Sequence, residues 1–161
     1  MPDIPSDGNV RVSWVTTIAS KAAPTVAELN AGLLLTSVAA ADGLAGWQPN
    51  THSVPNRKLD STFNSSDVGT IQIDDPLLRF FKQSGTDTIY TTLVKNAAGF
   101  VVIRRSLPSA TAWASTQLLV MVVPAKCGQR RWLDVEENTN ERWEVPIKIT
   151  AEPAFDAVVA P

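Results

Sequence analysis

A chain of 161 residues has the length of one domain, enough to bury a single sizeable core. Hydrophobic residues make up 44%, charged residues 19%, and the formal net charge is −2. That excludes a disordered chain and leaves no basic footprint for wrapping nucleic acid.

One cysteine, Cys127, cannot close an internal disulfide or build a thiolate zinc site, and one histidine, His52, leaves no His-rich metal centre. Val, Ile and Thr supply about a quarter of the residues, which favours strands over helices. No apolar run is long enough to cross a bilayer as a helix. The opening "MPDIPSDG" has no apolar segment of the secretory kind.

In chain order, residues 1–9 carry two prolines and two acids and read as an extended arm. Val10, Val12 and Trp14 alternate with polar residues, which predicts a strand to about Ile18. Thr25 and Glu28 have capping-box spacing, so a helix of about two turns should run to Gly32. Leu33, Leu34 and Leu35 begin a strand that should end before Asp42-Gly43. Residues 43–69 are rich in Gly, Pro, Asn, Ser and Asp, and predict a long loop with isolated Trp47, His52, Leu59 and Phe63 docking it against something.

"TIQI" and "LLRFFKQ" predict two strands around a break at Asp74-Asp75-Pro76. Tyr90, Leu93, Val94 and Ala97 fall on one helical face, with Asp87 or Thr86 to cap the helix and Gly99 to end it. Phe100–Ile103 and Leu118–Val123 are continuous apolar runs, the second ending at Pro124. Such runs imply cover on both faces, from the same chain or from a neighbouring subunit. Trp143, Val145, Ile147 and Ile149 alternate with polar residues, and Pro146 puts that strand at an edge or beside a bulge. Residues 151–161 form an apolar C-terminal arm.

Little of this carries catalytic chemistry. His52 has no triad partner at a telling spacing, and reads as a loop or interface histidine. Lys126, Arg130 and Arg131 could lower the Cys127 thiol pKa, but no base or second cysteine stands nearby, so a turn cysteine is the plainer reading. Asp74-Asp75 fits a turn, and Glu136-Glu137 fits a solvated loop. The pairs Arg104-Arg105 and Arg130-Arg131 are weak phosphate candidates, and surface salt links explain them as well. Of five tryptophans, Trp14, Trp132 and Trp143 lie in or beside predicted strands and read as core. Trp47 and Trp113 read as interface anchors, although exposed rings could also make a stacking platform for a sugar.

Three segments resemble the tail tube proteins of long-tailed actinobacteriophages. "KAAPTVAELNAGLLLT" resembles their early P-T-x-x-E-L-N-A-G element. "NAAGFVVIRRS" resembles their strand after the helix, and "LLVMVVPAKCGQRR" with "ENTNERWEVPIKITAEPAFDAVVA" resembles their last strands and C-terminal arm.

The resemblance spans about 10–40 and 85–160, while 43–69 departs from it. It implies a mainly β single domain, a β-sandwich or half-barrel with a flanking helix and extended arms. It also implies hexameric rings stacked into a tube, with no cofactor and no membrane. The partners it implies are other copies, a tape measure protein, tail tip or terminator proteins, and DNA in transit. The place it implies is the virion tail, assembled in the bacterial cytoplasm.

The residues agree on several points. Absent catalytic constellations suit a structural subunit, and edge strands need partners. Val10, Val12, Trp47, His52, Leu59, Phe63 and Phe155 are the expected subunit contacts. The alternatives are a tail terminator or completion protein, or a monomeric carbohydrate-binding β-sandwich.

Overall fold

The computed structural model describes residues 2–161, with 42% of the chain in strands and 7% in helices. The elements are β1 (Arg11–Val15), α1 (Val26–Ala31), β2 (Leu33–Leu34), β3 (Ala39–Ala45), β4 (Pro49–Pro55), β5 (Ser66–Ile73) and β6 (Leu77–Phe81). They continue as α2 (Thr88–Thr92), β7 (Ala98–Arg104), β8 (Leu118–Cys127), β9 (Arg131–Trp132), β10 (Arg142–Ile149) and β11 (Ala154–Val158). One sheet runs β2-β1-β7-β8-β10-β6-β3 and curls into a half-barrel. β9 joins it on β10 and β11 on β8, while β4 and β5 pair only with each other.

The continuous apolar runs follow from cover on both faces. Val101 and Ile103 of β7 face one cluster, with Trp14, Phe80, Leu93, Val123 and Trp143. Val102 and Phe100 face the other, with Leu29, Trp113, Val122, Ala157 and Val159. The second cover comes from α1, β11 and the segment after β7 of the same chain.

The first helix forms as its spacing predicts. Thr25 Oγ1 accepts from the Glu28 N–H at 3.3 Å, and Glu28 Oε2 accepts from the Thr25 N–H at 2.8 Å. The second helix is shorter than its apolar spacing suggests. Asp87 caps it by accepting from the Tyr90 N–H at 2.9 Å, but it stops at Thr92. Asn96 then adopts a left-handed φ of 71°, which reverses the chain into β7. Gly99 does not end the helix. It lies in β7 beneath the Trp14 indole, where a Cβ would come within 2.8 Å of the ring.

Two prolines sit inside strands without breaking them. β8 runs through Pro124 to Cys127. The Thr150 N–H donates to the Pro124 carbonyl, so the side of Pro124 that lacks an N–H faces the gap between the β11 and β10 pairings. Pro146 occupies the equivalent gap on β10, between its pairing with β8 and its pairing with β9, so that strand is internal. In both places the missing donor removes no ladder bond.

The C-terminal residues are docked rather than free. β11 pairs with β8, Ala160 bridges to Thr25, and the Thr116 N–H donates to the Val159 carbonyl at 2.9 Å. Among the described residues, no helix is long and apolar enough to cross a membrane.

Candidate subunit interface

The segment 43–69 is not a loop. It contains the end of β3, all of β4 and the start of β5, joined by the turn at 46–48 and the irregular stretch 56–65. Alternation failed to mark it because both faces of the ribbon lie open, so burial imposes no period on the sequence. A bulge also breaks the period. Thr51 pairs with Ile71 and Ser53 with Val68, so His52 alone opposes Gly69 and Thr70. At Gly69 the His52 carbonyl would lie 2.7 Å from any Cβ, which is why a glycine fits there.

The bulge sorts the ribbon into two unlike faces. Pairing and pleat put Pro49, Thr51, Ser53, Pro55, Ser66, Val68, Ile71 and Ile73 on one face and Asn50, His52, Val54, Asp67, Thr70 and Gln72 on the other. Val68 is 77% exposed and Ile71 59%. At the tip, Leu59 is fully exposed and Phe63 is 74% exposed. At the root, a groove of about 630 Å³ lies between Ile71 and Ile73 of the ribbon and Ile149, Pro153 and Phe155 of the body. This much uncovered apolar surface on one projecting element makes it the candidate contact surface.

The expected contact residues therefore divide. His52, Leu59 and Phe63 lie on the open ribbon, Phe155 borders its groove, and Val10 is half-buried where β1 begins. Val12 and Trp47 are core residues, packed with Leu78, Ile103 and Met121. Trp47 was expected at a contact because of its irregular surroundings. Its ring instead packs into the main core cluster, and its indole N–H donates to the Leu77 carbonyl at 2.9 Å.

Val68, Ile71, Trp132 and Val135 are surface residues that the sequence reading missed. Ile71 falls in "TIQI", which reads as a strand without marking the residue as exposed, and the bulge puts Val68 out of that strand's period. Trp132, read as core, is 53% exposed within the two-residue strand β9. Val135, 94% exposed, stands in the loop 133–141 that joins β9 to β10. That loop and Trp132 surround a hollow of about 240 Å³ rimmed by Asp134, Glu136 and Glu141. Glu136 holds one ion pair, to Arg142 at 3.4 Å.

The ionisable groups inside the fold are committed to structure. Arg104 is fully buried, and no carboxylate pairs with it. Its guanidinium donates to the Pro108 and Thr111 carbonyls at 2.9 Å each and to Gln117 Oε1 at 2.9 Å. Burial, then the charge of Arg11, pushes its pKa down. The Arg11 and Arg104 guanidinium groups both lie over the Trp113 ring, each 4.9 Å from its centroid. Arg104 is thus neither a surface salt link nor a phosphate ligand, and Trp113 is core rather than an interface anchor.

Arg131 does form a salt link, to Glu144, which also accepts from Arg79 Nε at 2.7 Å. Burial opposes the Glu144 charge, but the bonds from Arg79 and Arg131 outweigh it and hold its pKa below the usual carboxylate range. Burial pushes the Cys127 thiol up to about 11, so the neighbouring cations do not activate it. With Trp14, Trp47, Trp113 and Trp143 all buried, only Trp132 is left to stack on a sugar. Among the described residues, no three His, Cys, Asp or Glu side chains converge as a metal site would require.

Comparison with known proteins agrees with this architecture. No curated protein matches the chain by sequence. The fold is similar to a chain in the sheath/tube terminator of an extracellular contractile injection system, PVC, in its extended state. That likeness has a TM-score of 0.62 at 12% identity, covering 98% of this chain and 99% of the other. It is also similar to a chain in the baseplate of the anti-feeding prophage, with a TM-score of 0.58 at 9% identity, covering 96% and 98%. The family described as phage tail tube protein matches residues 1–161 throughout. With its curled sheet, projecting ribbon and ionisable groups tied up in structure, the chain belongs to the phage tail tube protein family, as a structural component of the tail.

Proposed function

We propose that this protein is a non-enzymatic subunit that assembles into hexameric rings, and that the rings stack into the tube through which DNA leaves the capsid. One observation carries the reading. The β4–β5 ribbon is fully formed, apolar on one face, and uncovered by its own chain. A two-stranded ribbon alone is marginal in water, so its apolar face calls for a partner. Complementary but unlike surfaces that meet head to tail close into rings or continue as filaments.

In this reading His52, Leu59 and Phe63 contact a neighbouring copy directly, while Val10 and Phe155 border the contact. The short β2 and the bulged β3 bound the sheet, and they are the edges available to strands of adjacent copies. The lumen carries more acid than base, in keeping with the net charge of −2, because DNA must slide past without counterion-releasing contacts. Its partners are the tape measure protein, tail tip and terminator proteins, and DNA in passage. The virion tail, built in the host cytoplasm, is its place.

Negative-stain electron microscopy and sedimentation across a concentration series test this. Stacked rings or hollow tubes are the expected result. Single closed rings that never stack would favour the tail terminator reading, which the likeness to a sheath/tube terminator structure supports. A monomer at every concentration would reject both. A reconstruction with a ring of arginine or lysine lining the channel would reject the acidic lumen.

A further inference from the structure

The ribbon and the loop 133–141 lie at opposite ends of the same strand pair. β6 and β10 pair from Leu77↔Pro146 to Phe81↔Arg142. The ribbon joins the body at the Leu77 end, four residues after Ile73. The loop joins it at the Arg142 end. Five paired residues span roughly 17 Å, and the seven residues of β4 span roughly 24 Å, at about 3.4 Å per residue. The ribbon is therefore longer than the distance separating the two features within one copy.

Their chemistries are complementary. The tip offers Arg57 and Lys58 beside the exposed Leu59, with Phe63 across the turn. The loop offers Asp134, Glu136 and Glu141 around a hollow lined by Trp132, Leu133 and Arg142, with Glu136 paired to Arg142. A dry cavity of about 150 Å³ accepts a benzene ring. At about 240 Å³ the hollow has room for one apolar side chain of that size.

We propose that the tip of the β4–β5 ribbon seats in the acid-rimmed hollow of the Leu133–Glu141 loop of a second copy, with Leu59 or Phe63 in the hollow and Arg57 and Lys58 on its rim. This rests on the assembly reading above and names the acceptor of the ribbon within it. Because donor and acceptor sit at opposite ends of one copy, the contact propagates along the β6–β10 direction rather than closing a pair.

Charge reversal with rescue tests it on the full chain. Arg57→Glu/Lys58→Glu and Asp134→Lys/Glu141→Lys alter exposed side chains, so circular dichroism and melting should match wild type. Each double variant should raise the critical concentration for stacking about tenfold or more, and the quadruple variant should return it toward wild type. If wild type and both double variants stack at the same concentration, the docking is overturned while the assembly reading stands. Failure of the quadruple variant to recover also overturns the docking. A wild-type chain that never assembles overturns the assembly reading and the docking with it.

Discussion

The Trp47 indole N–H donates to the Leu77 carbonyl at 2.9 Å, and this bond joins the two points where the ribbon meets the body. Trp47 lies two residues before β4, and Leu77 opens β6. Gly46, at a φ of 75°, makes the turn between β3 and this clamp, with Asp75 against it. The ring thus fills the core and fixes the direction in which the ribbon leaves.

Trp47→Ala should cost about 3–5 kcal/mol, the usual range for emptying a buried tryptophan site. For a domain of this size that lowers Tm by roughly 6–20 °C. Trp47→Phe keeps most of the ring but orphans the Leu77 carbonyl, and should cost about 1–3 kcal/mol. Thermal and denaturant unfolding of the subunit check both. An unchanged Tm for Trp47→Ala would show that the clamp contributes nothing.

Arg104 holds the segment after β7 by its carbonyls, and both it and Arg11 lie over the Trp113 ring. Arg104→Ala should cost about 3 kcal/mol or more, since each buried acceptor left bare costs about 1–3 kcal/mol. Arg104→Lys should recover little, because an ammonium lacks the planar fork that reaches several acceptors and stacks on an indole. Urea unfolding separates the variants, and full recovery by lysine would contradict this account.

Acid should weaken the fold in a definite window. The folded-state pKa values of Glu144, Asp87 and Glu28 are all depressed. For Asp87, burial opposes the charge and the Tyr90 and Gln83 N–H groups with Lys82 overcome it. For Glu28 the Thr25 and Ala19 N–H groups dominate. A depressed carboxylate stabilises above its unfolded value, about 3.9 for Asp and 4.3 for Glu, and that stability fades as pH falls through the folded value. Stability should therefore drop below about pH 4.5, and Glu144→Gln should flatten the slope. A slope identical to wild type would remove Glu144 from the explanation.

Cys127 should react slowly with thiol reagents in the native subunit. It is 3% exposed, and its thiol pKa of about 11 leaves little thiolate near neutrality. Labelling should accelerate by orders of magnitude once urea unfolds the chain. Fast labelling of the folded protein at pH 7 would reopen thiol chemistry.

Ile71→Asp, on the apolar ribbon face, should leave melting within about 0.5 kcal/mol of wild type, as surface substitutions usually do. It should shift sedimentation toward smaller species. Unchanged sedimentation would exclude this face from the contact.

The sequence signalled what the backbone decides locally. Thr25 and Glu28 announced α1, Asp87 announced the start of α2, and the apolar runs announced β7 and β8. What it hid depends on distant partners. Pro124 and Pro146 look like strand breakers until the pairing shows that each faces a gap. Trp47 and Trp113 look like surface anchors because their neighbours in sequence are irregular, yet the walls around them come from other strands. The ribbon looks like a loop because an element with no buried face carries no period, and the bulge at Gly69-Thr70 moves Val68 out of step with Ile71. Of the contact surface, Leu59 and Phe63 were legible as apolar residues in polar surroundings. Val135 was not, since a single valine among acids gives no pattern.

The placement of ribbon and acidic loop at opposite ends of β6 and β10 gives the subunit a direction. Copies joined in series along that line all point the same way. One extremity of the series presents free ribbons, basic and apolar at their tips, and the other presents empty acidic hollows. Initiation and termination are then separate recognition problems. A cap for one extremity must imitate a hollow, a cap for the other must imitate a ribbon, and neither fits the wrong end.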